Sequence, residues 1–182
     1  MANEVLEKLG TPVVWADTTD YSSTGSGYTR TAQLDLTSLA NTLGREGAKV
    51  DLGATRAAKY SIHVGMEIDV APTAGTVVEV YFSWSASATA ATGNDGGATG
   101  SDASYMSGDA TNTGEFKKQL DGPYLLVLTA DAAPTVQRQM IGTLRALQRY
   151  VSPVVVNSAG QAFEGDAVEM YVALVPIVDE VQ

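Results

Sequence analysis

The stretch that decides the fold is YSIHVGMEIDV, which runs from Tyr60 to Val70. Apolar side chains occupy every second position, and polar or small residues occupy the positions between them. Because successive side chains of a β-strand point to opposite faces, this period of two predicts a strand with one buried face. The apolar set is Tyr60, Ile62, Val64, Met66, Ile68 and Val70, and the polar set is Ser61, His63, Gly65, Glu67 and Asp69.

The next stretch, Thr76 to Ala86, repeats the same alternation. Its apolar positions include Val78, Val80, Phe82 and Trp84. Pro72 and Gly75, which lie between the two stretches, are residues typical of turns. We therefore predict that the two strands pair as an antiparallel hairpin and that Trp84 lies in the core.

Further short apolar stretches complete an all-β pattern. The sequence predicts strands at Thr11 to Ala16, Arg30 to Leu36, Tyr124 to Thr129, Val136 to Leu147, Tyr150 to Asn157 and Val168 to Val178, although part of Val136 to Leu147 is also compatible with a helix. Proline lacks an N–H, so Pro153 and Pro176 suggest edge positions or bulges. About eight strands with little helix indicate an antiparallel β-sandwich, jelly-roll-like in its connections.

The length of 182 residues is that of one domain. We divide the chain into an N-terminal arm, residues 1–10, and a single β-sandwich domain, residues 11–182. In the arm, residues 3–9 are predicted to form one or two helical turns capped by Asn3. So short a helix is marginal alone and needs a surface on which to pack.

Residues 86–114 form a long loop insertion of different composition. This segment contains six Gly and three Asp and has no Val, Ile, Leu, Phe or Trp. We expect a solvated loop that contributes little to the core. Its oxygen-bearing side chains, Asn94, Asp95, Asp102 and Asp109, are possible calcium ligands, but the order that an EF-hand requires is missing, so we predict no metal site.

The charge balance argues against two classes of partner. Eleven Lys and Arg residues stand against twenty-one Asp and Glu residues, which gives a formal net charge of −10, and no Lys or Arg follows Arg149. Nucleic acids and anionic membranes are bound through Lys and Arg, so neither is an expected partner. No apolar run approaches the roughly 20 residues needed to span a bilayer, and we expect synthesis as a soluble protein in a cytoplasm.

The residues available for catalysis are few. His63 is the only histidine and cysteine is absent. A general base or metal ligand is one interpretation of His63, but with no partner of either type we favour a surface or interface histidine. Glu67 and Asp69, with Glu79 facing them from the next strand, could serve glycoside hydrolysis, although such rows more often keep a sheet face wet. We therefore expect no enzyme activity and no cofactor.

The candidate interface residues lie near the N-terminus. Val5, Leu6 and Leu9 would form the apolar side of the arm, and Trp15 follows shortly after it. An aromatic residue beside a docking arm can anchor an interface. These four residues are the predicted contact site.

Three stretches of the chain resemble a family of small proteins encoded among the structural genes of tailed phages and prophages. They are AKVDLGATRAAKY (Ala48 to Tyr60), VEVYFSWSASATAATGNDGGATGSDASY (Val78 to Tyr105) and YVSPVVVNSAGQAFEGDAVEMYVALVPIVDEVQ (Tyr150 to Gln182). The resemblance implies a sandwich-like virion structural protein, either a capsid decoration (cement) protein or another minor component. It carries no catalytic signature.

The expected function is accordingly structural. The resemblance implies a protein on the capsid surface of the virion that stabilises the head by binding the major capsid protein or other virion proteins. Virion oligomers follow closed symmetry, so we expect a homo-oligomer, with a trimer as the first guess. The alternatives are a tail, fibre or adaptor protein, and a carbohydrate-binding module or glycosidase.

Overall fold

The computed structural model describes residues 5–105 and 110–181, and it describes side chains for residues 9–105 and 114–178. Within those ranges the chain forms twelve β-strands, one α-helix and one turn of 3₁₀ helix at Asp95–Gly97. The elements are β1 (Val5–Leu9), β2 (Val13–Ala16), β3 (Ala32–Gln33), β4 (Gly44–Glu46), β5 (Val50–Asp51), β6 (Lys59–Glu67), β7 (Val77–Ser85), β8 (Ala103–Tyr105), α1 (Ala110–Lys117), β9 (Asp121–Val127), β10 (Val136–Arg145), β11 (Tyr150–Ser158) and β12 (Tyr171–Val181).

The strands form two six-stranded sheets. In the first, called the β6 sheet, the order is β10-β6-β12-β2-β3, and β1 pairs with the end of β12. In the second, the β7 sheet, the order is β8-β4-β11-β7-β9, and β5 pairs with the end of β11. All pairings are antiparallel except that of β2 with β3. Two sheets that share one core confirm the predicted all-β sandwich.

The centre of the core comes from β6 and β7, one strand from each sheet. Their alternating apolar residues, together with Ile68 just after β6, are at most 2% exposed: Tyr60, Ile62, Val64, Met66 and Ile68, and Val78, Val80, Phe82 and Trp84. Each large side chain buried in this way contributes roughly 1.5–3 kcal/mol relative to exposure. The core position predicted for Trp84 is confirmed. Val70 departs from the pattern and is 51% exposed, because β6 ends at Glu67.

The predicted hairpin of these two strands is wrong. β6 pairs with β12 and β10, whereas β7 pairs with β11 and β9. A hairpin would place both apolar faces side by side on one sheet. The chain instead crosses between the layers through residues 68–76, so that each strand buries its apolar face against that of the other.

The N-terminal helix is also wrong for the part of the arm that the structure describes. Val5–Leu9 is strand β1, and its residues pair in register from Val5 with Val181 to Leu9 with Ile177. Residues 3 and 4 lie outside the described ranges. A helix of one or two turns forms too few hydrogen bonds to offset its nucleation, whereas β12 extends beyond the end of β6 and offers backbone partners.

Neither proline expected at an edge lies on an edge strand. Pro153 belongs to β11 and Pro176 to β12, and both strands have neighbours on two sides. Each proline faces the place where one flanking strand ends and another begins, between β4 and β5 or between β2 and β1. The missing N–H therefore removes no bond from a continuous ladder.

Candidate interaction surface

The four residues predicted for the interface do not form one surface. Leu9, at the end of β1, is 68% exposed, while the side chains of Val5 and Leu6 lie outside the described ones. Trp15 has no exposed surface, and its indole Nε1 donates a hydrogen bond to the carbonyl of Ala48 at 2.7 Å. Its ring packs in the core of the sandwich, so it offers a partner no surface in this conformation.

His63 lies on the outer face of the β6 sheet and is only partly exposed. The ring of Tyr28 covers it at a centroid distance of 5.9 Å, and Ser61 Oγ lies 3.0 Å from Nε2. Burial lowers the pKa of His63 below its ordinary value, because the imidazolium loses hydration there. Ser61 itself is 4% exposed, and its hydroxyl also donates to the carbonyl of Val175.

The carboxylate row predicted for glycoside hydrolysis is not assembled. Glu67 belongs to β6 and Glu79 to β7, so the two lie on opposite sheets. The Glu79 carboxylate accepts hydrogen bonds from Tyr81, from Lys117 Nζ at 2.7 Å and from Ser158 Oγ at 2.9 Å. Burial alone would raise the pKa of Glu79, but these bonds outweigh it and hold the pKa below its ordinary value.

Glu67 lies instead in a group of carboxylates at one end of the sandwich. The loop after β11 folds back beside it, with backbone bonds from Glu164 N to Glu67 O (3.0 Å) and from Asp69 N to Ala162 O (3.1 Å). Burial raises the pKa of Glu67, and the nearby charges of Glu169, Asp166 and Glu164 raise it further. We call this group the acidic end; it comprises Glu67, Asp69, Glu164, Asp166 and Glu169. Arg138, which forms an ion pair with Glu169, partly neutralises it.

Basic residues gather at the opposite end of the same sheet. Arg145 on β10 lies directly across from Lys59 at the start of β6. Arg149 donates two hydrogen bonds to Asp51, at 2.8 and 2.7 Å, and these bonds together with the charge of Arg56 lower the pKa of Asp51 to about 2. We call this group the basic end; it comprises Arg56, Lys59, Arg145 and Arg149. Its charge is mixed, because Asp51 neutralises Arg149, and β12 continues past Lys59 through Asp179 and Glu180.

The Gly- and Asp-rich segment is built into the fold as far as residue 105, where we expected a solvated loop. Lys49 extends into it, and its Nζ lies 3.1 Å from Ser85 Oγ and 3.1, 2.8 and 3.1 Å from the carbonyls of Ser87, Thr89 and Thr92. Ala98 and Tyr105 are buried in a second apolar cluster on the outer face of the β7 sheet. The expectation that this segment adds little to a core is wrong here, because small residues allow its backbone to pack closely.

Two of the side chains considered as calcium ligands are held by the protein itself, although Asn94 Oδ1 is buried without a hydrogen-bond partner among the described residues. Asp102 accepts two hydrogen bonds from Arg45, both at 2.8 Å, and Asn94 Nδ2 donates to the carbonyls of Ala90 and Ala98. Asp109 lies outside the described residues. Among the residues that the structure does describe, no three His, Asp or Glu side chains come together in a way that could hold a metal ion.

Two edge strands are open on the same side of the sandwich. β10 pairs only with β6 and β9 only with β7, among the described residues. Apolar side chains are exposed along both strands: Met140 is 50% exposed, Val127 51% and Leu125 42%. A groove of about 400 Å³ runs between the strands, lined by residues that include Val127, Gln137 and Gln139.

Sequence reasoning missed both charged ends and the open edges. The residues of the basic end are scattered between positions 56 and 149, and only the register of β6 with β10 brings Lys59 and Arg145 together. The one available signal was the absence of Lys and Arg after Arg149.

In the described part of the chain no helix is long and apolar enough to cross a membrane. Comparisons with protein-family models, curated proteins and solved structures give no match.

Proposed function

We propose that this chain is a structural protein of a tailed-phage virion that acts by binding neighbouring protein subunits. In its most specific form it is a capsid decoration (cement) protein on the head surface. The major capsid protein is then its principal partner. The proposal joins the resemblance in the sequence to one structural observation, the pair of open edges.

The open edges of β9 and β10 carry the proposal. An exposed edge strand presents unpaired N–H and C=O groups and is a template for pairing with another chain. β10 is ten residues long, and Met140 lies exposed at its centre. In a permanently assembled subunit such an edge is covered, either by an added strand or by the surface of a neighbouring subunit.

The covered outer faces of both sheets also favour docking through the strand edges. Residues 17–31 lie over the β6 sheet, where Tyr21 and Tyr28 pack on Val14, Ala16, Tyr171 and Ala173. The β7 sheet is covered in the same way by Phe116 and Leu120. Because these residues cover parts of both outer faces, we take the exposed edges to be the surfaces for a partner.

The surface chemistry suits repeated docking. Only 18% of residues are charged and eighteen are glycine, so fewer long, rotamer-rich side chains have to be immobilised on binding. A decoration protein stabilises a shell by adding buried area across the joints between capsid subunits. A specific contact of this kind buries roughly 1,200–2,000 Å².

The copy number in purified particles tests the proposal. Quantitative mass spectrometry of particles from a host that carries this gene should find on the order of hundreds of copies each, as a lattice position requires. A handful of copies, with immunogold label at the tail, would favour a tail or adaptor protein instead. Absence from the particles would refute the virion proposal altogether.

A substitution on the edge tests the docking surface. Met140→Lys places a charge in the middle of β10, and we expect it to reduce binding to empty shells at least tenfold, as burial of an unpaired charge does. The matched control is Ala88→Lys, at an exposed position just after the end of β7. Equal binding of both variants and the unmodified protein would exclude the β10 edge.

A further inference from the structure

Thr129 lies at the edge of the β7 sheet, just past the end of β9. The residue before it, Leu128, donates from its N to Thr76 O and accepts at its O from Gly75 N, both at 2.9 Å. Its main-chain polar groups therefore point toward the neighbouring strand. In an antiparallel pair the N and O of one residue point to the same side, and successive residues alternate between the two sides. The N and O of Thr129 consequently point outward, to where an added strand would lie.

The carboxamide of Gln137 occupies that outward position. Its Oε1 accepts hydrogen bonds from Thr129 N at 2.9 Å and from Thr129 Oγ1 at 3.2 Å, and its Nε2 donates to Thr129 O at 3.0 Å. Two residues that face each other on antiparallel strands exchange the same pair of bonds, one N–H···O in each direction. The side chain of Gln137, which reaches across the groove from β10, therefore takes the place of a residue of an added strand.

The rest of the β9 edge lacks the charged side chains that usually protect an edge strand. By the same alternation Leu125 and Val127 also have outward main-chain groups, and their side chains are 42% and 51% exposed. No charged residue occurs in the sequence from position 122 to position 130. An apolar, uncharged segment on an edge is a site at which chains pair edge to edge.

We propose that Gln137 is an edge cap, which prevents β9 from pairing with β9 of a second copy. A second copy is the occupant because the segment is compatible with itself. An antiparallel pair centred on Val127 places Val127 opposite its own copy and Leu125 opposite Thr129, so outward groups meet outward groups and no like charges face each other. Such a contact is isologous, as in two-fold dimers. The cap blocks both ends of the pair, since a Thr129 lies at each end.

The inference goes beyond the proposed function, because it concerns the purified protein and the strand β9. A homo-oligomer of the unmodified protein is then joined through surfaces other than this edge. The docking test above changes β10, and the virion proposal is tested by copy number in particles. Failure of the edge cap and failure of the proposed function are therefore distinguishable.

Sedimentation velocity tests what the cap prevents, in the unmodified protein, Gln137→Ala and Gln139→Ala. Gln139 is the matched control, an exposed glutamine two residues along on the same face of β10 and in the same groove. Gln137→Ala should form additional dimers at an about tenfold lower concentration than the other two proteins, because no hydrogen bonds have to be broken first. Equal association of the three proteins overturns the proposal.

Hydrogen exchange tests the cap itself, in dilute solutions where none of the three proteins associates further. The Thr129 amide loses its acceptor in Gln137→Ala, so it should exchange about threefold faster or more than in the unmodified protein. In Gln139→Ala its exchange should be unchanged. An equal rate at Thr129 in all three proteins overturns the proposal.

A second substitution identifies the edge that pairs. Gln137→Ala with Val127→Lys places two like charges opposite each other at the centre of the β9 pair, so it should associate no more than the unmodified protein. Gln137→Ala with Met140→Lys adds the same charge at an equally exposed position on β10 and should still associate. Association that persists with Val127→Lys, or that is lost with Met140→Lys, overturns the proposal. Far-ultraviolet circular dichroism establishes that each variant is folded.

Discussion

Pro153 and Pro176 occupy equivalent places in the two sheets, each on an inner strand and each opposite a glycine. Gly47 N donates to Pro153 O at 2.9 Å, and Gly10 N donates to Pro176 O at 2.8 Å. In an antiparallel ladder the N and O of one residue point to the same side. Each proline thus faces a gap between two short strands, where a glycine backbone closes the contact.

The two glycines should differ in their tolerance of a methyl group. A Cβ at Gly47 would lie 2.9 Å from Pro153 Cγ and 3.1 Å from Trp15 Cδ1, both parts of rigid rings, whereas at Gly10 the nearest atom is Pro176 Cβ at 3.2 Å. We expect Gly47→Ala to lower the free energy of unfolding by about 1–3 kcal/mol. Gly10→Ala should change it by less than about 1 kcal/mol, since reduced freedom of the unfolded chain offsets part of the crowding. Urea unfolding of both variants measures the difference, and equal losses would contradict it.

Lys49 should control the order of the segment after β7. Its ammonium group is shared among Ser85 Oγ and the carbonyls of Ser87, Thr89 and Thr92, and Met has the length of Lys without the donors. Lys49→Met should lower stability by about 1.5–3 kcal/mol, the range for hydrogen bonds to a charged group. Hydrogen exchange should accelerate at residues 87–92 more than in β7. Lys118→Met, at an exposed position, is the control, and a similar exchange pattern in both variants would argue against the clamp.

His63 should make the fold sensitive to mild acid. Its folded pKa lies below the ordinary value of 6.5 because burial beneath Tyr28 disfavours the charged ring. The neutral form therefore contributes stability that is present above pH 6.5 and is lost as the pH falls through the folded pKa. Thermal unfolding between pH 7.5 and pH 5 should show this loss in the unmodified protein and a smaller loss in His63→Gln. A parallel pH dependence of the two proteins would show that His63 is not responsible.

Protonation of Glu67 should stabilise the fold, whereas protonation of His63 should destabilise it. Burial and then the charges of Glu169, Asp166 and Glu164 raise its folded pKa above the ordinary value of 4.5. The stability linked to its protonation is present below pH 4.5 and is lost as the pH rises through the folded pKa. Glu67→Gln removes the charge, so we expect it to be neutral or stabilising at pH 7. Glu115→Gln, an exposed control, should have no such effect, and destabilisation by Glu67→Gln at pH 7 would indicate an attractive role for the carboxylate.

Strand positions and buried faces were predictable, because they depend on local spacing. The alternation at Tyr60 to Val70 placed Ile62, Val64 and Met66 on the core face, and the structure buries all three. The residue propensities of short segments predicted the type and length of those elements less well. The predicted strand at Arg30 to Leu36 is reduced to Ala32–Gln33, and the predicted N-terminal helix is a strand for the residues described.

The candidate surfaces were less predictable than the core. The position of Trp15 near the arm predicts an interface residue, but Trp15 is buried with Leu34, Val172 and other residues far away in the chain. The charged ends depend on register, since Lys59 meets Arg145 only when β6 pairs with β10. No local pattern encodes either arrangement.

By itself the sequence determined that the chain forms strands, which residues of each strand face a core, and that the chain carries an excess of negative charge. Only the tertiary structure decided which strands pair, that β6 and β7 lie on opposite sheets, and where the charges gather. The reason is physical. Side-chain alternation is a property of one strand, whereas backbone hydrogen bonds are alike in every strand, so partners are chosen by packing between distant residues.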